Sequence, residues 1–556
     1  MKILNTGFCI VLLLFSCTKN GGSDLVIQPQ QGVTFSNTSV QVNGTNNGSA
    51  VYKYIPVTSV VKLSFSTAIN KSTAAANILF NEASGVAVPL TLSYENNDSS
   101  IVVTPVAALK SFTSYNLVLS QGLQSNSGKN LSSTTNVSLT TGIDSTDKFP
   151  LVDTAVLLNL VQRQTFKYFW EFGHPTSGMA RERNTSGDLV TTGGTGFGVM
   201  AIVTAIHRNF ITRAEGLARI KKITGFLTNT AQTFHGVFPH WLNGSTGVVI
   251  PFSSKDDGAD LVETSLLMQG LLTARQYFNG TDADEVSLRN EINTLYNKVE
   301  WSWFRKNNEN VLYWHWSKNF SWDINLPVKG WNETLITYAM AASSTSFTIP
   351  KVVYDEGFAG NGSMKNNNLY YGIQLPLGPQ LGGPLFFSHY SFLGINPKGL
   401  TDQYADYEKQ VINHTKINYE YCKANPNNYY GYSNKVWGLT ASDIPNGYTA
   451  SSPTNDVGVI APTAAISSMP YTPVESMAAL QFFYYKLGDK IFKEYGFVDA
   501  FKLSDPWFAN SFLAIDQGPQ IVMIENYRSG LLWKLFMSCP EIKTGMKKLG
   551  FQSPFL

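Results

Sequence analysis

The chain is expected to be mainly α, an (α/α) toroid behind an N-terminal all-β sandwich. Between about residues 31 and 142, apolar residues alternate at period two in short runs bounded by turn residues. From about residue 150 the period becomes helical and stays so for about 400 residues. Long loops rich in Gly, Pro and aromatics separate these helices, where a plain bundle uses connections of about 2–8 residues. A helical-repeat solenoid is the alternative, but no fixed-period repeat is visible. At 556 residues, two or more domains are expected.

The first segment reads as a targeting signal. Lys2 precedes the apolar run Phe8 to Phe15, too short to span a membrane as a permanent helix. Leu14-Phe-Ser-Cys17 resembles a bacterial lipobox, which implies cleavage before Cys17 and its acylation. The expected division is a lipoprotein signal peptide over 1–17 and a polar tether over 18–30. An ordinary signal peptide with an incidental cysteine is the alternative. An acylated Cys17 implies an outer-membrane lipoprotein, anchored by lipid and otherwise soluble.

Strands are expected at 60–65, 90–94, 100–104 and 115–119, with turns at Asn96-Asn-Asp-Ser99 and Asn126-Ser-Gly128. The run Phe65-Ser-Thr-Ala-Ile69, the Thr104-Pro105 ending and the strand Tyr115 to Leu119 resemble bacterial Ig-like domains. Residues 31–142 hold no constellation of acids or histidines, so a spacer role is expected of them.

Residues 142–150 are a linker, and a catalytic domain is expected over 150–556. Its helices are expected near 157–170, 195–206, 212–229, the segment after Gly258, 283–303, 331–345, 401–424, 473–487, 489–501 and 525–538. The stretch 195–206 is apolar nearly all round, hence buried; its neighbours are amphipathic. Buried and amphipathic helices in alternation fit inner helices covered by outer ones.

Composition narrows the ligand. Charged residues make up only 14% against an average near 25%, while aromatics reach 13%. Net charge is +2 with no basic run, so nothing points to nucleic acid. Such a surface suits a neutral, hydroxylated ligand. Beyond Cys9 and Cys17, only the distant Cys422 and Cys539 remain, neither a disulfide framework nor a zinc spacing.

Carboxylates carry the chemistry. A helix starting near Gly258 would align Asp256, Asp260 and Glu263 on one stripe, although acids in a first turn also merely offset the helix dipole. Glu333, in Gly330-Trp-Asn-Glu-Thr334, stands near the third position of an apolar helix. A capping role is its alternative, weakened because Gly330 cannot make a reciprocal box. Glu475 follows Thr472-Pro473 and is expected to cap its own helix. Asp516 is expected in a tight Gly-Pro segment before the last helix, and Asp456 in a turn. Around them lie Phe238-Pro-His240-Trp241, Trp314-His-Trp316, Phe386 to Ser391 and Tyr429 to Tyr432. Singly each is core; together they suit sugar stacking. Glycosidic hydrolysis needs one protonated and one ionised carboxyl across a cleft.

Several stretches over residues 155–550 resemble the bacterial glycoamylase-like domain and, within it, glycoside hydrolase family 144, the endo-β-1,2-glucanases. They are Gln164 to Trp170, Thr195-Gly-Phe-Gly198, His235 to Trp241, Asp260-Leu-Val-Glu-Thr264, Gly330 to Glu333, Pro384 to His389, Asp516 to Pro519 and Ile524 to Trp533. The resemblance implies an (α/α)6 toroid that hydrolyses linear or cyclic β-1,2-glucan to short oligosaccharides with inversion and without metal; no cofactor is expected, and the protein is expected to be a monomer. It makes Glu333 the general acid and Asp516, by analogy with related families, the base. Asp256, Asp260, Glu263, His240, Trp241, Trp331, His389, Tyr390 and Arg528 become the substrate contacts. An exo-acting enzyme, another β-glucan hydrolase of this fold and a non-catalytic glycan-binding lipoprotein are the competing readings.

Overall fold

The computed structural model describes residues 34–556, so the expected signal peptide, Cys17 and the whole tether lie outside the described residues. The chain divides into two units. The first is a sandwich of two four-stranded antiparallel sheets, built from β1 (Asn37–Val42), β2 (Val51–Ile55), β3 (Val61–Phe65), β4 (Ile78–Glu82), β5 (Leu90–Glu95), β6 (Ser100–Pro105), β7 (Ser114–Leu119) and β8 (Thr135–Thr141). The sheet orders are β1-β3-β6-β5 and β2-β8-β7-β4. Period-two patterning sets the register: Leu63 faces Ile101 and Leu117 faces Val137, and all four are buried. The expected turn at 96–99 joins β5 to β6 through three left-handed residues, Asn96, Asn97 and Asp98.

In the second unit the helices of seven or more residues are α1 (Thr154–Trp170), α2 (Thr192–His207), α3 (Arg213–Asn229), α4 (Leu261–Tyr277), α5 (Ala283–Lys298), α6 (Leu335–Ser343), α7 (Tyr407–Ala424), α8 (Pro473–Ile491), α9 (Ala514–Arg528), α10 (Leu531–Met537) and α11 (Pro540–Leu549). They form an (α/α)6 toroid. The inner helices α2, α4, α6 and α9 are buried nearly all round. Short helical turns at Leu385–Leu393 and Pro462–Ile466 complete the inner set. Outer helices such as α1, α3, α5, α7 and α8 bury one face. The helix α2 packs between α4 and α9. It crosses α4 so closely that a Cβ on Gly270 would stand 2.1 Å from the Gly196 carbonyl oxygen. Neither position has room for a side chain.

Four sequence expectations fail here. The segment from Gly258 is not helical until Leu261: Ala259–Asp260 is a short strand paired with His315–Trp316, so Asp256, Asp260 and Glu263 do not form a helical stripe. Residues 489–501 are not a helix either. Phe492–Lys493 folds back on Gly496–Phe497 through a glycine at φ +89° that a helix excludes. The last helices begin earlier than 525, because α9 accommodates Pro519. Pro519 has no N–H to give the Ile515 carbonyl, and the next carbonyl, that of Asp516, accepts from Thr463 Oγ1 at 3.0 Å and Gln520 Nε2 at 3.2 Å. Finally, Thr472 precedes α8 without capping it; its hydroxyl bonds within its own segment, to the Ser468 carbonyl and Ser476, so Glu475 belongs to no capping box.

Candidate active site

The N-terminal ends of the inner helices meet at a cavity of about 380 Å³. Its walls include Thr191 before α2, Glu263 in the first turn of α4, Ile515 in the first turn of α9, and Tyr390. His240, Trp241, Phe252 and Tyr448 add aromatic surface, and Glu182 and Arg183 close one side. Helix N-termini carry partial positive charge and free N–H groups, which suits a site built of carboxylates.

Each acid is held by its neighbours. Asp260 caps α4, accepting from the Glu263 amide at 2.9 Å, and is fully buried. His240 Nδ1 lies 2.9 Å from Asp260 Oδ2, and its Nε2 lies 4.0 Å from Glu263 Oε1. His315 joins them from the paired strand, with Nδ1 at 3.3 Å from Asp256 Oδ1 and 3.8 Å from Asp260 Oδ2. The three acids are thus gathered by two imidazoles and not by helical spacing. Glu263 Oε2 accepts the Gly193 amide of α2 at 2.7 Å. A side chain at Gly193 would meet that oxygen at 2.6 Å, which only glycine avoids.

Electrostatics separate the carboxyls. Burial raises Glu333 to about 7, with the nearby charges of Glu263 and Asp260 adding to it. Burial also raises Glu263, helped by Asp260 and opposed by His240. For Asp260 burial acts upward too, but the hydrogen bond from His240 and the charge of His315 bring it below the usual carboxylate range. His240 resists burial and rises to about 9, chiefly through Glu263 and Asp260. His240, Asp256 and Asp260 place ligand atoms within 4.8 Å of one another, close enough to hold a cation. The two histidines, both raised by these acids, supply compensating positive charge from the protein itself.

Asp516 lies in the first turn of α9 and not in a loop. It is buried, its Oδ2 makes no hydrogen bond, and it is paired with the equally buried Asp499. Burial and the Asp499 carboxyl push its pKa well up, while Asp499 sits at about 6. Glu333 precedes α6 and keeps some solvent access; it stands beside the cavity, within electrostatic reach of Glu263 and Tyr390, and is not itself a wall residue.

Three expected substrate contacts belong elsewhere. Trp331 is buried against Phe392 and Tyr407, so its ring faces are already covered. His389 is fully sequestered, bonded to Ser468 Oγ at 2.9 Å and pushed by burial down to about 3, a neutral core imidazole. Arg528 donates to Gln162 at 2.6 Å at the far end of α9, about 18 Å along that helix from Asp516. Asp456 is a loop anchor, accepting from Tyr432 and the Gly458 amide.

His315 belongs to the expected cluster Trp314-His-Trp316, whereas Glu182, Arg183, Asp443, Tyr448 and Asp499 are not marked by the sequence. Only Arg181-Glu-Arg183 carried a signal, three charges together in a charge-poor chain.

Known proteins place this architecture. The family profile described as "Putative glucoamylase" (Glycoamylase) matches residues 325–540, and that of the bacterial Ig-like domain matches 28–141. The exo beta-1,2-glucooligosaccharide sophorohydrolase (non-reducing end) of Parabacteroides distasonis is 45% identical over 428 residues, 73% of this chain and 59% of that protein. This chain therefore spans about three fifths of that relative's length. The endo-beta-1,2-glucanase from Chitinophaga pinensis, solved with sophorotriose and glucose, is 51% identical with a TM-score of 0.71, covering 73% of this chain and 100% of that one. A beta-1,2-glucanase structure from Parabacteroides distasonis is 36% identical with a TM-score of 0.70, covering 93% of this chain and 73% of that one.

Proposed function

Because the chain belongs to the bacterial glycoamylase-like family, glycoside hydrolase family 144, we propose that it hydrolyses β-1,2-glucan to short gluco-oligosaccharides with inversion. The observation that carries this reading is a carboxyl raised to about 7, Glu333, beside a cavity walled by aromatics and a second acid, Glu263. A proton donor needs a pKa near the working pH, and burial supplies it here.

In this mechanism Glu333 gives its proton to the glycosidic oxygen as the bond from that oxygen to C1 breaks. Water attacks C1 from the opposite face and loses a proton to the base, leaving a product of inverted configuration. Inverting enzymes separate the two carboxyls by about 6.5–9.5 Å, room for that water. Asp516 is the proposed base, acting with Asp499 as a pair that shares one proton and so keeps one negative charge. Glu263, His240, Trp241 and Tyr390 line the cavity and bind and orient the sugar, while the buried Asp256 and Asp260 act from behind them by positioning His240 and His315. Glu333→Gln is the test: it should abolish reducing-sugar release from β-1,2-glucan while leaving glucan binding intact. Binding without hydrolysis by the wild type would make the protein a glycan-binding lipoprotein instead.

A second assignment follows from Glu263, which lines the cavity directly and is also raised. If Glu263→Gln removes the basic limb of the pH profile and Glu333→Gln does not, the acid is Glu263. Endo action is supported by the identity to the Chitinophaga pinensis enzyme along its whole length. Endo cleavage yields a ladder of oligosaccharides early in the reaction; disaccharide alone would mean exo action. We further propose a monomer held at the outer membrane through Cys17, tested by the mass of the mature N-terminus.

A further inference from the structure

A second cavity, of about 390 Å³, lies across Arg183 from the first, and Arg183 lines both. The hairpin pairing Ala441–Ile444 with Gly447–Ala450 stands between them, with Tyr448 lining the first cavity and Asp443, Ile444 and Gly447 the second. The opposite wall carries Trp507 and Phe508 from a hairpin paired with Phe501–Lys502. The volume falls within the range of about 300–1,000 Å³ typical of small-molecule sites.

The dividing wall is fixed. Arg183 Nε donates to Glu182 at 2.9 Å, and Nη1 meets both oxygens of Asp443 at 3.2 Å. Asp443 also accepts the Ser511 hydroxyl at 2.5 Å, and its amide donates to Asp499 at 2.6 Å. Two carboxylates around one guanidinium leave the wall acidic overall, which disfavours phosphate or carboxylate ligands. What remains is suited to a neutral polyol. The Thr185 hydroxyl and the amides of Asn446 and Asn510 are exposed, with no hydrogen bond from these side chains among the described residues. Trp507 is half-buried and offers a face on which a pyranose ring can stack.

We propose that this second cavity is a distal saccharide subsite, holding glucosyl units of the same glucan chain whose scissile linkage lies at the first cavity. It rests on the hydrolytic reading above and adds a prediction that reading does not make: dependence on chain length. The test is kcat/KM for β-1,2-gluco-oligosaccharides of increasing length with Trp507→Ala, alongside Trp507→Phe and the double change Asn446→Ala, Asn510→Ala, all first shown to be folded by their melting curves. The loss in Trp507→Ala should grow with length to roughly five- to tenfold on the longest chains, with Trp507→Phe restoring most of it. A loss equal at all lengths, or none at any length, overturns the subsite. Calorimetry with the same oligosaccharides on Glu333→Gln separates the two ideas. If the wild type releases no sugar, the hydrolytic reading fails alone. Affinity that rises with length through Trp507 then sustains the subsite, and affinity indifferent to Trp507 overturns it.

Discussion

The backbone amide of Gly193 donates to Glu263 Oε2 at 2.7 Å, tying the first turn of one inner helix to the first turn of the next. The bond orients a cavity-wall carboxylate and opposes the upward effect of burial on it. Gly193→Ala would put a methyl 2.6 Å from that oxygen, so Glu263 must swing away. The protein should fold with a loss of about 1–3 kcal/mol from overpacking. Its kcat should fall roughly a hundredfold through misplacement of the carboxylate. Melting curves and kcat measured on the same preparation check both.

Removing the proton donor should act on rate and pH dependence together. Glu333→Gln is expected to lower kcat by about 10²–10⁴-fold, the range for general acid catalysis. In the wild type kcat/KM should fall as pH rises through about 7, where Glu333 loses its proton. That limb should be absent from the residual activity of the variant.

The same shift has a stability consequence of definite sign. Glu333 is raised in the folded state to about 7 from 4.5, so the folded form holds the proton more tightly than the unfolded form does. Its contribution is complete below pH 4.5 and is lost as pH rises through 7. His240, raised to about 9 from 6.5, contributes fully below 6.5 and loses that contribution through 9. Denaturant titrations should therefore show Glu333→Gln gaining on the wild type between pH 5 and 8. His240→Gln should lose most near pH 6 and least above pH 9.

How far the chain could be read in advance depended on the kind of signal. Sandwich strands such as Ser100–Pro105 were legible because period two in a two-faced sheet leaves few alternatives. The buried α2 and the amphipathic α3 were equally plain. Pro519 misled because a proline reads as a helix stop, whereas here it stands in the second turn of a helix that continues to Arg528. Asp256, Asp260 and Glu263 do converge, but through His240 and His315, a contact between a loop and a strand that spacing cannot encode. Trp331 and His389 have the composition of a sugar platform and the burial of core, and only packing decides between those. Asp499 sits in an irregular segment and Asp443 in a four-residue strand, too short for a period to mark it.

The aspartate pair offers the most discriminating experiment on the proposed base. Asp499 accepts the Asp443 amide at 2.6 Å, a bond that Asn can also accept, so Asp499→Asn should fold. It removes the carboxyl beside Asp516 that, after burial, does most to hold Asp516 protonated. The pKa of Asp516 should then fall, and the acidic limb of kcat/KM should move to lower pH by roughly one unit or more, since a neighbouring like charge is worth about that much. Asp516→Asn should instead abolish turnover at every pH. A purely structural role for Asp499 would lower stability and kcat while leaving the limb in place. An unmoved limb with unchanged melting would mean that Asp516 acts alone or that the water is activated by another group.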